Sequence, residues 1–205
     1  PEYDQQLYDI FLSKFANLYY TQMQNANYEK NCGNAMKPHY QQIFAASYMN
    51  IKTPYRGVIL WHGLGSGKTF SSIMISKTFN EKYNVVAIVP AMLVDNYGEE
   101  LVKTKYLTND EINNKYFYFT ANGQLHTFNY NTISQFSNSL MVFDESQLII
   151  SKISNSIELK TSAFYIFYRK LCEADDVKIV FLSGTPIVQN VREMGIIFNQ
   201  LKFIS

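Results

Sequence analysis

The chain alternates between short apolar runs and longer stretches in which apolar positions recur at helical spacing. The runs are residues 57–61 (GVILW), 84–89 (NVVAIV), 116–119 (YFYF), 139–143 (SLMVF) and 177–182 (VKIVFL). Each is nearly continuous in apolar residues instead of alternating with polar ones. That is the pattern of a strand buried on both faces. Residues 67–80, 91–103, 161–173 and 190–201 separate several of these runs and predict helices. Strands alternating with helices predict a mainly parallel sheet covered on both sides, a three-layer α/β domain. Upstream, Leu7, Ile10, Phe11, Phe15, Leu18 and Tyr19 share one face of a predicted amphipathic helix over 4–23. A polar loop is predicted over 24–35, and a second helix over 38–49, opening at Pro38. Residues 105–115 and 146–160 are polar and predict loops or insertions. The expected division is an N-terminal helical extension, 1–35, followed by the α/β domain, 36–205.

Composition narrows the field. With 205 residues, 47% of them hydrophobic, the chain can bury a core and is not disordered. Lys and Arg total 18 against 17 Asp and Glu, so no strong net field marks a generic polyanion or membrane-surface binder. No apolar run reaches the ~18–20 residues of a membrane helix. The first ten residues, PEYDQQLYDI, lack the basic and apolar regions of a secretory signal, and also lack an initiating Met. That start is expected for a fragment or a processed product. Cys32 and Cys172 stand far apart, and with His39, His62 and His126 they show no metal-ligand spacing. A reducing, intracellular setting is expected. Sixteen Tyr and 15 Phe with only 9 Gly are read as AT-rich coding.

The most informative segment is 57–76, where an apolar strand runs into Gly63-Leu64-Gly65-Ser66-Gly67-Lys68-Thr69 and then a helix. Strand, glycine-rich loop and helix are the context a phosphate-binding loop requires. Its glycines let consecutive N–H groups turn inward around a polyphosphate. The helix points its positive end at the same charges. Lys68 is expected at the β- and γ-phosphates of ATP, and Thr69 at Mg²⁺. The strict pattern has Gly where this chain has His62.

A second apolar run ends in Asp144-Glu145. At the carboxyl end of a parallel strand these carboxylates face the ligand crevice. Asp144 is expected to hold Mg²⁺ through its water shell, and Glu145 to act as general base on the attacking water.

Three further segments fall in register with these. They are Lys37-Pro38-His39-Tyr40-Gln41-Gln42, Val89-Pro90-Ala91 and Ser183-Gly184-Thr185-Pro186. Together the segments resemble, in order, the first RecA-like ATPase lobe of superfamily 2 helicases and translocases, over roughly residues 36–200. Gly63 to Thr69 is similar to its motif I and Val89 to Ala91 to motif Ia. Tyr130-Asn131-Thr132 sits where motif Ib is expected. Asp144 to Gln147 resembles motif II, and Ser183 to Pro186 motif III. HGLGSGKT and SGTPI-x-x-N resemble the Swi/Snf-like branch, and within it the NTPases of large nucleocytoplasmic DNA viruses. Those are of the poxvirus early transcription factor small subunit and nucleoside triphosphate phosphohydrolase type.

The resemblance implies roles. Gln42 or Gln41 would hydrogen-bond the adenine, the apolar spacing to Phe44 and Met49 favouring Gln42. Gln147, Ser183 and Thr185 would couple hydrolysis to a nucleic-acid groove. Pro90 and Thr132 would hold phosphates of one strand, DNA more than RNA. Such contacts are sequence-tolerant and salt-sensitive. The family more often has His where this chain has Gln147. The family's second lobe, with its arginine finger, is expected beyond Ser205, so this piece alone is expected to turn ATP over slowly. A viral origin implies viral transcription machinery as a partner, and the virion or host cytoplasm as location. The competing reading is a non-motor nucleotide-binding scaffold, with residues 1–35 as its docking surface. A phosphate-loop kinase is disfavoured because only Arg56, Arg169 and Arg192 are available for a lid.

Overall fold

The structure, a computed structural model, describes residues 38–63, 65–79, 83–120, 138–185 and 190–202. The predicted helix over 4–23, the loop after it, Leu64 and Thr132 lie outside them, so the proposed extension over 1–35 has no structural account here.

Five strands form one sheet: β1 (Gly57–Trp61), β2 (Asn84–Val89), β3 (Tyr116–Thr120), β4 (Ser139–Phe143) and β5 (Val177–Ser183). Their spatial order is β1-β5-β4-β2-β3, and every pairing is parallel. The apolar runs predicted as strands match these boundaries to within a residue. The reason is physical: β4 is buried along its whole length and β5 almost so, because helices cover both faces.

The helices divide cleanly between the faces. On one, Val86, Ile88, Met141, Phe143, Ile179 and Phe181 meet helices α5 (Gln147–Ser156), α6 (Ala163–Glu173) and α7 (Val191–Leu201). On the other, the alternate residues Val85, Ala87, Leu140, Val142, Val180 and Leu182 meet α1 (Tyr40–Tyr48), α2 (Lys68–Lys77) and α3 (Val94–Thr104). The period-two alternation of a strand thus feeds two separate cores. This is the three-layer α/β architecture expected. Cys172 carries a free thiol. Among the described residues no helix is long and apolar enough to cross a membrane.

Two expectations are corrected. Residues 105–115 were expected as a loop, but α4 occupies Asn109–Lys115. Thr108 caps it: its hydroxyl accepts from the Glu111 N–H at 3.2 Å, while the Glu111 carboxylate accepts from the Thr108 N–H at 2.8 Å. Residues 146–160 were also expected as a loop, yet they contain α5. Ile149, Ile150 and Ile153, with Ser154, form one buried stripe, and Asn155 faces outward. The stretch predicted as a helix from 91 opens as a 3₁₀ turn over Ala91–Leu93 before α3 begins.

Candidate active site

The register of the sheet brings the predicted segments together. Trp61 lies opposite Ser183, and Phe143 opposite Phe181, so β1, β5 and β4 end at one edge. From that edge emerge the glycine-rich loop, the Ser183 turn and the Asp144 turn. Parallel strands all present their carboxyl ends to the same crevice, which is why segments so distant in sequence converge.

The loop has the backbone expected of a phosphate cradle. Gly65 and Gly67 adopt φ of 73° and 75°, in the left-handed region. A Cβ on Gly67 would stand 2.5 Å from the Gln42 Nε2. Helix α2 then begins at Lys68 with no side chain capping it, so its first-turn N–H groups remain for an anion.

Gln42 is engaged within the protein. Its side chain is 1% exposed, and both ends of the amide are engaged. Oε1 accepts from the His39 N–H at 2.7 Å, and Nε2 donates to the Gly67 carbonyl at 3.3 Å. Gln42 therefore braces the loop from α1. Its neighbour Gln41 is on the exposed side and donates to the Ser66 carbonyl at 3.1 Å. Of the two glutamines, Gln41 is exposed and Gln42 is buried.

Across the crevice, Glu145 sits at φ 47°, a left-handed conformation for a residue with a side chain. The Asp144 Oδ1 accepts from the Glu145 N–H at 3.0 Å, and the Ser146 N–H donates to the Leu182 carbonyl at 2.9 Å. These bonds pin the turn to β5. A continuous side-chain chain follows. Lys68 Nζ lies 3.3 Å from Glu145 Oε1. Gln147 Nε2 donates to Glu145 Oε2 at 2.7 Å, and Ser183 Oγ donates to Gln147 Oε1 at 2.6 Å. The Thr185 N–H donates to Ser183 Oγ at 3.0 Å. Gly184 leaves room beside Lys68: a Cβ there would lie 3.6 Å from Nζ.

Burial dominates the electrostatics. It pushes the Asp144 carboxyl above the usual carboxylate range, and the Glu145 charge adds to the shift, against the pull of the Glu145 N–H and Lys68. Burial also raises Glu100, with Asp144 adding to it and a hydrogen bond from Thr69 opposing. His62 is pushed down by burial and by the Lys68 charge, which holds its ring neutral. Its Nδ1 is buried with no hydrogen-bond partner among the described residues. A crevice of half-buried carboxyls raised in this way is short of a cation, and hard oxygen donors suit Mg²⁺. Among the described residues, no group of three or more His, Cys, Asp and Glu side chains could itself hold a metal.

Pro90 lies at the carboxyl end of β2, on the same edge of the sheet but away from the Lys68–Glu145 pair. Two residues here went unnoticed in the sequence. Trp61, 70% exposed, donates from Nε1 to the Gly184 carbonyl at 3.0 Å. Glu100, on α3, is near enough to Thr69 and Asp144 for both to act on its carboxyl. Neither has a motif signal, because both contacts depend on which elements become neighbours.

No protein-family model matches the chain. It is 28% identical over 190 residues to a protein of Acanthamoeba polyphaga mimivirus that carries the name of an ATP-dependent RNA helicase, covering 78% of this chain and 32% of that one. It is also 28% identical over 163 residues to the termination factor NPH-I homologue of African swine fever virus, covering 71% and 22%. The chain thus spans about a third or less of the length of these relatives. Among solved structures it resembles the Sulfolobus solfataricus SWI2/SNF2 ATPase core in complex with dsDNA, with TM-score 0.56, 20% identity, and 82% of this chain and 38% of that one covered. It likewise resembles the Pyrococcus furiosus Hef helicase domain, with TM-score 0.55, 19% identity, and 78% and 35% covered. The fold is therefore that of RecA-like helicase and ATPase domains.

Proposed function

We propose that this chain, a superfamily 2 helicase-type lobe with viral helicase and termination-factor relatives, is the ATP-binding lobe of a nucleic-acid-dependent ATPase. The lobe comprises residues 36–205. The observation that carries this reading is the meeting of Lys68, Thr69, Asp144, Glu145, Gln147 and Ser183 at one end of the sheet.

Each residue has a part. The backbone from Gly63 to Thr69 cradles the phosphates, and Gln41 or Gln42 lies on the adenine side. Thr69 and Asp144 hold Mg²⁺, which when bound neutralises phosphate charge. Before ATP arrives, Lys68 pairs with Glu145. The phosphates draw the Lys68 ammonium away, and Glu145 Oε1 becomes free to accept a proton from the attacking water. Gln147 meanwhile keeps hold of Oε2 and passes any displacement to Ser183 and Thr185. Pro90 and Thr132 are proposed as strand-phosphate contacts.

The longer protein is proposed to act on DNA rather than RNA, in viral transcription or genome handling. The dsDNA complex of the Sulfolobus neighbour supports DNA, against the RNA-helicase name of the mimivirus relative, and the termination-factor name of the swine fever relative supports a role in transcription.

The test is calorimetric titration with Mg-ATP beside Lys68→Ala, with phosphate release measured with and without duplex DNA or RNA. Loss of the charged phosphate contact is expected to weaken binding roughly 10- to 100-fold. No binding by folded wild-type chain would overturn the reading in favour of a non-motor interaction module.

A further inference from the structure

We infer that the outer edge of β1 is a docking surface for one further parallel strand, supplied by the stretch of a longer polypeptide that follows α7. The inference stands apart from the nucleotide reading above.

β1 is the outermost strand on its side of the sheet, and among the described residues no strand pairs with its far side. The Arg56 carbonyl accepts from the Ile179 N–H at 2.9 Å, and the His62 N–H donates to the Ser183 carbonyl at 3.1 Å. Backbone groups alternate sides along a strand in a parallel ladder, so Arg56, Val58, Leu60 and His62 bond to β5. The N–H and C=O of Gly57, Ile59 and Trp61 point the other way. β1 carries neither the charges nor the proline that blunt a permanent edge.

An apolar stripe runs beside that edge. Trp61 is exposed at its carboxyl end, where the indole bond to Gly184 holds the ring. On α7, Val191 is 82% exposed and Phe198 58%, with Met194 exposed between them. Their spacing of three and four residues puts them on one side of the helix. The opposite flank is occupied: Arg192 pairs with Glu158, and Asn199 donates to the Tyr168 hydroxyl on α6. Leu201 continues the stripe to the start of β1, where a Cβ on Gly57 would stand 2.5 Å from the Leu201 Cδ2. A strand laid against β1 would bond to Gly57, Ile59 and Trp61 and cover Met194 and Phe198 with alternate side chains.

The winding of the sheet identifies the occupant. Connections that move away from β1, through α2 and α3, use one face. The connection that moves back toward β1, from β4 to β5 through α5 and α6, uses the other. One hand thus serves both, as it does in about 98% of parallel crossovers. α7 follows β5 on the face used for moving toward β1. The same hand sends the next strand past β5 on that side. β1 already fills the first place, so the next is its outer edge. α7 ends at the foot of that edge, where the Gln200 carbonyl accepts from Arg56 Nε at 3.0 Å. The viral relatives are long enough to provide such a strand, since the match spans 32% and 22% of their lengths.

Hydrogen exchange resolved to single amides tests this on the 205-residue chain and on the protein that continues past Ser205. In the 205-residue chain, Ile59 and Trp61 should exchange at least about a hundredfold faster than Val58 and Leu60. In the longer protein all four should be slow, together with alternate amides in the stretch after α7.

Five results would overturn the inference. Ile59 and Trp61 exchange equally fast in both proteins. They are already slow in the 205-residue chain at every concentration, because that chain covers the edge itself. Their exchange slows as the 205-residue chain is concentrated, which assigns the edge to a second copy. They slow in the longer protein with no slow amides after α7, which assigns the edge to another part of it. The reading frame stops at Ser205.

Discussion

Glu145 is the proposed general base, and its surroundings specify what its loss would do. One carboxylate oxygen faces Lys68 and the other is held by Gln147. Glu145→Gln keeps the size and the contact to Gln147 but cannot take a proton. Its ATP hydrolysis should fall by about 10²–10⁴-fold while ATP affinity stays within a few-fold of wild type. Phosphate release and calorimetry on the same preparation check this. Gln147 also matters for what it lacks. An imidazole there could change charge near neutral pH, whereas an amide keeps one donor end and one acceptor end. Here the donor end meets Glu145 and the acceptor end meets Ser183, so the link transmits position and not protonation. The sequence placed Lys68, Asp144 and Glu145 at this site from local pattern alone. It favoured Gln42 over Gln41 for the adenine, and it could not foresee that the Gln42 amide is engaged by His39 and Gly67, because that depends on how α1 lies against the loop. Glu100 and Trp61 were invisible for the same reason.

At the scale of elements, two devices outside the crevice hold helices in place. The first is the cap of α4. The Thr108 N–H and then the Lys77 ammonium hold the Glu111 carboxyl down to about 2. A carboxyl depressed in the folded state stabilises above its ordinary value, and that contribution fades as pH falls toward about 2. Wild type should therefore exceed Glu111→Gln in stability at neutral pH by about 1 kcal/mol, a capping-sized effect at a partly exposed site. The gap should close between about pH 4.5 and pH 2, read from denaturant melts at each pH. The second device is Arg56, just ahead of β1. It donates from Nε to the Gln200 carbonyl, from Nη1 to Ala174 and from Nη2 to Leu171, at 3.0, 3.1 and 2.7 Å. One guanidinium thus ties the ends of α6 and α7 to the start of β1. Arg56→Lys keeps the charge but lacks the planar fork, and should cost about 2–3 kcal/mol in a urea melt. Strands were legible almost to the residue because burial on both faces leaves an unbroken apolar run. α4 and α5 were not, since a short polar helix is specified by a cap or by one narrow stripe.

The whole molecule is a sheet with a separate core on each side, and its stability depends on both. Phe143 packs between Phe167 and Phe181, with ring centroids 6.2 and 5.0 Å away. It lies on the face opposite α2 and only one residue before Asp144. Phe143→Ala should destabilise the domain by about 3–5 kcal/mol in a urea melt. It should also loosen the Asp144 turn, so ATP affinity should fall although no ligand contact is lost. The order of the strands also bears on how the protein is made. β1 carries the glycine-rich loop, yet its neighbour in the sheet is β5, the last of the described strands. A ribosome adding about 5–20 residues per second releases β5 on the order of ten seconds after β1. Through that interval the segment from Gly57 to Trp61 has apolar surface and no partner strand, and is a natural client for a chaperone. Nucleotide cannot guide the early steps of folding, because the proposed site is incomplete until Ser183 has been made.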